Sequence, residues 1–373
     1  MKLNVMMHNL YLDTPRWFYS HRATDWKMKL SLAQILHLGQ ESIPSGVLFS
    51  ILYNAQFIIT RFLPRSMKGW FVNCCVKCRA LLLQRNHVDV LIAQGGTPPM
   101  PANARVIWET YFLDPQLGEQ DFGKRFERGC DDYWMRCMDK YGKKVFKIGV
   151  RGNRSVALVK QYFPELSNKV IDLGFVHEEY DVVADASVVE KQKTEDCVTI
   201  LFIGRQARLK GIECLLRALR LIRNEGVVNF KLRVVSTFRD GIVNLPLEDG
   251  WIEHVKEVGH AEALKMFRDA QIFAMPTMRD SYGLVFHEAL ANGCVTCVPR
   301  REPQMEFVDY GKAGVVLNPF SDREMADSLK ELILNKELRI RLALAGKSLY
   351  LEKFSQKIIR ERWNSVIKEA LYG

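Results

Sequence analysis

From Cys197 onward the chain alternates between short apolar runs rich in β-branched residues and longer stretches whose apolar positions recur every three or four residues. The short runs predict strands at 198–204 (VTILFIG), 232–237 (LRVVST), 272–277 (IFAMPT) and 295–299 (VTCVP). The longer stretches predict helices at 210–225, 261–269 and 283–291. Apolar runs without a polar face belong to strands covered on both sides, as in a parallel sheet between two helix layers. From 321 to the end the pattern is almost wholly helical.

The first half alternates too. Strands are predicted at 88–94, 104–112, 144–150 and 169–176, and helices at 122–140 and 155–163. Between the halves, 178–196 is rich in charge and small residues and lacks a long apolar period, which places a linker at 181–196. The expected fold class is α/β, with two Rossmann-like doubly wound domains, 1–180 and 197–353, facing a cleft. The carboxyl ends of both sheets, where such folds bind ligands, would open on that cleft.

Composition narrows the classes. At 373 residues, 48% hydrophobic and 26% charged, the chain can fill two cores, which excludes disorder, collagen and a miniprotein. A net charge of +10 points to an anionic partner without the charge density of a nucleic-acid binder. Residues 1–105 hold 12 Lys/Arg against 4 Asp/Glu, so most of the excess lies in the first third. Nine cysteines, odd in number and scattered from Cys74 to Cys297, do not form an oxidised framework, and the N-terminus lacks a secretory signal. A cytoplasmic location is expected. Cys75-x-x-Cys78 and Cys294-x-x-Cys297 have zinc-like spacing but lie far apart, so core thiols are expected. The stretch 47–63 is interrupted by Asn54, Gln56 and Arg61 and falls short of a membrane span. Between 47 and 70, Arg61, Arg65 and Lys68 interleave with aromatic residues. That pattern reads either as a core helix with a solvated end or as an interfacial segment resting on an anionic membrane.

Two pieces carry chemistry. Gly204 and Arg205 follow directly on a buried strand, and Lys210 and Gly211 open the next helix. Glycine lets backbone approach an anion, a helix N-terminus presents N–H groups, Arg205 offers a fork and Lys210 a point charge, a set suited to a diphosphate. In the second piece a strand ends at Thr277, a polar turn carries Asp280, a helix begins near Gly283, and seven residues separate Asp280 from Glu288. Asp280 reaches over the strand ends, Glu288 in the second helical turn is able to accept two ribose hydroxyl protons, and the N–H groups near Gly283 and Leu284 face the same cleft. Taken singly, Arg205 and Lys210 also read as solvated cations, Asp280 as a helix cap and Glu288 as a surface residue. His8, His260 and His287 read as ordinary surface or packed histidines able to approach the cleft.

Together the two pieces resemble the retaining nucleotide-sugar glycosyltransferases of the GT-B fold, family 4, also called glycosyl transferases group 1. The resemblance is specific over 198–319 and looser over 146–181. It rests on the phosphate motif, the Val258-Gly259-His260 turn, the strand-turn-helix with paired acids and the following Gly293-Cys294-Val295 run. It implies that Arg205 and Lys210, beside Gly204, hold the donor diphosphate and that Gly283 and Leu284 supply amides to it. Glu288 would bind the ribose, the turn from Val258 to His260 would lie near the base, and Asp280 would touch the donor sugar. It also implies an acceptor-binding domain at 1–180, completed by a helix at 354–373 that crosses back, and a donor-binding domain at 197–353. Three features depart from the family pattern. Its usual first Glu is here Asp280, shorter by roughly 1.5 Å. The strand VIWETY (106–111) has no His where many members carry one, leaving Glu109 or Thr110 for that place, and no glycine-rich loop follows 2–7.

The resemblance implies a retaining transfer in which Arg205, Lys210 and Asp280 carry the catalysis. No residue is placed as a covalent nucleophile, so the donor phosphate oxygen is expected to take the acceptor proton. No Asp-x-Asp triplet occurs in the chain, and two cations replace a metal. The expected partners are a nucleotide-diphosphate sugar as donor, with no further cofactor, and a glycan or lipid-linked acceptor in surface-polysaccharide assembly. An anionic membrane surface is expected to meet 47–70, on the cytoplasmic face, and nucleic acid is not a partner. The competing readings are a non-catalytic partner that binds nucleotide sugar or membrane, and a sugar-nucleotide epimerase or hydrolase on the same fold.

Overall fold

The structure, a computed structural model, describes residues 5–10, single positions between 67 and 81, 89–95, 98, 100–110, and 128–373 apart from 178, 195, 239–244, 246, 279 and 281. The strand end expected at 111–112, the helix start expected at 122–127 and nearly all of the 47–70 stretch lie outside the described residues. Two compact units divide the chain: Met1–Glu178 together with Ile359–Gly373, and Glu179–Ile358.

Among the described residues, the first unit holds a five-stranded parallel sheet. Its order is β1 (Val5–Leu10), β2 (Val90–Gly95), β3 (Arg105–Glu109), β4 (Lys147–Val150) and β5 (Val170–Asp172). Side chains alternate across a strand, so Leu91 and Ala93 of β2 join one core while Val90 and Ile92 join the other. Met138 and Tyr141 from helix Arg128–Tyr141, and Leu158 and Val159 from helix Asn153–Tyr162, complete the first core. The second is closed by the last helix, Gln356–Tyr372. Its Ile359, Trp363, Val366, Ile367 and Ala370 recur at helical spacing and pack with Val90, Ile92 and Ile107.

The second unit holds, among the described residues, a six-stranded parallel sheet. Its strands are β6 (Val198–Ile203), β7 (Phe230–Val235), β8 (Ile252–Val255), β9 (Ile272–Ala274), β10 (Val295–Pro299) and β11 (Val315–Leu317), in the spatial order β11-β10-β9-β6-β7-β8. From β6 the chain builds outward through β7 and β8, then returns to lay β9 against the other edge of β6, with Ile200 opposite Ile272. Strand order therefore reverses between β6 and β9, and open α/β sheets bind ligands beyond the carboxyl ends at such a reversal.

Several elements differ from the periodicity reading: β8 and β11 are short strands that it did not predict, and β5 is three residues long where 169–176 was expected. The stretch expected as linker at 181–196 contains helix Asp185–Gln192, which lies within the second unit. Polar side chains anchor it: Gln192 Nε2 donates to Gln271 O and Gly293 O at 2.9 and 3.0 Å, and Lys191 Nζ donates to Asn292 O at 2.7 Å. A search for apolar stripes passes over a helix held this way. The strand expected at 272–277 ends at Ala274, because Thr277 N donates to Met275 O at 2.8 Å and turns the chain.

Candidate active site

The loops after β6 and β9 are tied together before either reaches its helix. Met278 N and Thr277 Oγ1 both donate to Leu209 O, at 2.9 and 3.3 Å. Gly211, the N-cap of helix Ile212–Asn224, has φ +85°, and a Cβ there would stand 2.1 Å from Pro276 O. Glycine alone takes this backbone at this approach without strain. Gly283, at φ +92°, is the N-cap of helix Leu284–Ala291. No side chain caps either N-terminus.

At this junction Lys210 Nζ lies 2.5 Å from Asp280 Oδ2, with the two side chains 18% and 15% exposed. Gly204 makes room for the lysine stem, since a Cβ there would stand 3.0 Å from Lys210 Cγ. Asp280 Oδ1 accepts from Tyr282 N at 3.4 Å. The backbone oxygens of Asp280 and Tyr282 accept from the buried Gln304 amide at 3.4 and 3.0 Å. Arg301 donates to Met278 O, and burial lowers its pKa. Arg301 and Gln304 follow β10, and the sequence reading passed over them. Their position at a strand's carboxyl end was the available signal. Arg205 faces Glu257 at 3.7 Å with its side chain more than half exposed, an ion pair of little energetic weight.

Glu288 lies in the second turn of helix Leu284–Ala291 with its side chain 15% exposed. Its Oε1 faces His260 Nε2 at 3.1 Å and accepts from Tyr180 Oη at 3.4 Å. A carboxylate only accepts, so His260 Nε2 carries the proton. His260 opens helix His260–Asp269 after the N-cap Gly259, with Val258 half-buried before it. The Tyr180 ring stacks on Tyr350 at 6.2 Å and tilts against His260 at 6.3 Å. Burial, reinforced by the charges of Glu179 and Glu288, pushes the Tyr350 phenol up, so it stays neutral. Tyr180 was missed because it sits at the margin of the stretch taken as linker.

The remaining candidates sit elsewhere. His287 is buried and packs against Tyr282, Phe307 and Phe354. Cys294 and Cys297 are buried thiols, pushed up by burial. In the first unit His8 lies in β1, and Thr110 is buried. Glu109 is paired with Arg151 at 2.8 Å, both almost fully buried, and the Arg151 guanidinium lies 3.7 Å from the centre of the Phe175 ring. Among the described residues no helix is long and apolar enough to cross a membrane.

Residues 184–349 match the family model described as glycosyl transferases group 1. A D-inositol 3-phosphate glycosyltransferase of Corynebacterium jeikeium is 28% identical over 180 residues, covering 45% of this chain and 42% of that protein. The capsular polysaccharide biosynthesis glycosyltransferase CapM of Staphylococcus aureus is 24% identical over 185 residues, covering 47% of this chain and 48% of its own. The chain thus spans less than half the length of either relative. Among solved structures, a glycosyltransferase from Rickettsia africae matches with a TM-score of 0.69 at 13% identity, over 100% of both chains. HepE of Anabaena, solved in complex with UDP, matches with a TM-score of 0.64 at 11% identity, over 98% of this chain and 100% of that one. At such identities the likeness is one of fold.

Proposed function

Because residues 184–349 match the family model described as glycosyl transferases group 1 and both units are parallel-sheet α/β domains of the GT-B fold, we propose that the protein moves a sugar from a nucleoside-diphosphate donor to a glycan or lipid-linked acceptor, with retention of anomeric configuration. The observation that carries this reading is the Gly283 turn. There an uncapped helix N-terminus stands between two carboxylates, Asp280 on Lys210 and Glu288 one turn along the helix. A nucleoside diphosphate presents an oxyanion next to a diol, and this turn offers N–H groups for the first and a carboxylate for the second.

In this reading Lys210 and the Gly283 and Leu284 amides meet the diphosphate as fixed positive partners for the charge that develops on it, and the exposed Arg205 turns toward it. Asp280 offsets part of the Lys210 charge before donor arrives and accepts from a donor-sugar hydroxyl once it is bound. The bond from the sugar's anomeric carbon to the diphosphate oxygen breaks, and its electron pair leaves with the diphosphate. The acceptor oxygen bonds to the same face of that carbon and gives its proton to the leaving oxygen. This scheme assigns no protein nucleophile, resident metal or further cofactor. Relatives named for capsular polysaccharide and lipopolysaccharide core biosynthesis support a surface-glycan acceptor. Such an acceptor fits action at the cytoplasmic face of a membrane, with 47–70 as the anionic-surface contact.

The test is a screen of nucleotide sugars by thermal stabilisation, where a ligand at 100 times its Kd adds about 2.7 kcal/mol. Diphosphate release is then followed with and without glycan acceptors, and the product's anomeric configuration is read by NMR. Acceptor-dependent release with retention supports the reading. Release without acceptor would make the protein a hydrolase, binding without release a non-catalytic partner, and no stabilisation by any nucleotide sugar would remove the reading.

A further inference from the structure

Three segments distant in sequence converge on one oxygen of Glu288. Tyr180 comes from the segment before helix Asp185–Gln192, His260 from the first turn of its helix, and Tyr350, beneath the Tyr180 ring, from the end of helix Lys336–Leu349. The Tyr180 hydroxyl and His260 Nε2 both bond Glu288 Oε1. Among the described residues none donates to Oε2, although the Glu288 side chain is only 15% exposed. We propose that Tyr180 and His260 are positioning residues: they immobilise the Glu288 carboxylate through Oε1, so that Oε2 is presented to the ribose diol of the donor nucleotide and the site selects ribonucleotides over deoxynucleotides. The inference rests on the assignment of Glu288 to the ribose.

The physical reason is entropic and geometric. A free glutamate side chain has three torsions, the last of them broad, and ordering them is a cost that binding must overcome. When two donors from separate elements hold one oxygen, that ordering is already complete before ligand arrives, and the direction of the second oxygen is set. Tyr180 is itself held from two sides. It is 7% exposed, stacks on Tyr350 at an interplanar angle of 30°, and leans on the His260 ring. Its hydroxyl therefore reaches Glu288 from a fixed platform. His260, with its side chain 46% exposed, is the more accessible of the two donors.

The test measures affinity of the full chain for UDP, GDP and ADP by calorimetry, then compares the tightest of these with its 2′-deoxy and 3′-deoxy forms. The readout is the ratio of ribo to deoxy affinity, which a merely structural role would not move. The intact protein is expected to favour the ribo form by roughly 10-fold or more, and Glu288→Gln to abolish the preference. Tyr180→Phe, which keeps the stacked ring, and His260→Ala are each expected to cut the ratio by about 3- to 10-fold, the range for loss of one hydrogen bond. His260→Gln keeps an N–H donor and is expected to restore most of it. If Glu288→Gln abolishes the preference while Tyr180→Phe and His260→Ala both keep it, the positioning role is overturned and the ribose assignment stands. If the intact protein binds ribo and deoxy forms equally, or binds none of the three diphosphates, the ribose assignment falls and the positioning role falls with it.

Discussion

At the scale of single residues, the contact between Lys210 and Asp280 changes what each is expected to do. A lysine 2.5 Å from a carboxylate, with both side chains mostly buried, lends the diphosphate less net charge than a lysine alone. Arg205, more than half exposed and paired with Glu257 at 3.7 Å, can exchange that weak ion pair for a ligand. Lys210→Ala and Arg205→Ala are each expected to lower turnover by roughly 10²- to 10³-fold, as for loss of one preorganised donor, with the fold retained. Steady-state transfer rates and circular dichroism check this, and near-normal transfer by Arg205→Ala would remove the centre of the assignment. Asp280→Asn releases Lys210 from its charged partner. Affinity for the free nucleoside diphosphate is therefore expected to hold or rise while sugar transfer falls. Glu288→Gln is expected to weaken free diphosphate and donor alike. Calorimetry with both ligands separates the two, and equal loss of diphosphate affinity in both variants would refute the division of roles.

At the scale of elements, the site depends on two loops held at contact distance by glycines. Gly211 and Gly226 both have φ near +85°, yet a Cβ on Gly211 would meet Pro276 O at 2.1 Å while a Cβ on Gly226 would meet nothing within 4 Å. Gly226→Ala is expected to cost about 1 kcal/mol, the left-handed backbone penalty alone. Gly211→Ala adds a backbone collision and is expected to cost about 3 kcal/mol or more and to weaken nucleotide binding, because the loop carrying Lys210 must move. Urea unfolding of the two variants makes the comparison, and equal costs would show that the loops are not in contact. The helix Asp185–Gln192 illustrates the same dependence. Its anchors are carbonyls of residues 271, 292 and 293, which a local reading of 181–196 does not see.

At the scale of the whole molecule, the chain's last segment belongs to the unit in which the chain begins. Trp363 is fully buried in the core that it shares with Val90, Ile92 and Ile107. Trp363→Ala is expected to cost about 3–5 kcal/mol. Because the cost falls on one unit, hydrogen exchange is expected to speed up in β2 and β3 while β6 and β9 keep their protection. Uniform loss of protection, or none, would mean that the last helix does not support the first sheet in this way.

The apolar runs at 88–94, 198–204 and 295–299 were enough to determine strands covered on both faces, and the helical stripe after 321 determined the closing helices, because burial on a fixed period is written locally. The types of group at the candidate site were legible for the same reason: glycine after a strand, a basic pair, and two acids eight positions apart. Their pairing was not. Lys210 and Asp280 are 70 positions apart, His260 and Glu288 are 28 apart, and Tyr180 and Glu288 are 108 apart. Periodicity carries no information on which strand lies beside which. Only the placement of β9 against β6 brings the loops at 204–211 and 275–283 together, and only the packing of Tyr180 on Tyr350 turns an unremarked tyrosine into a donor to Glu288.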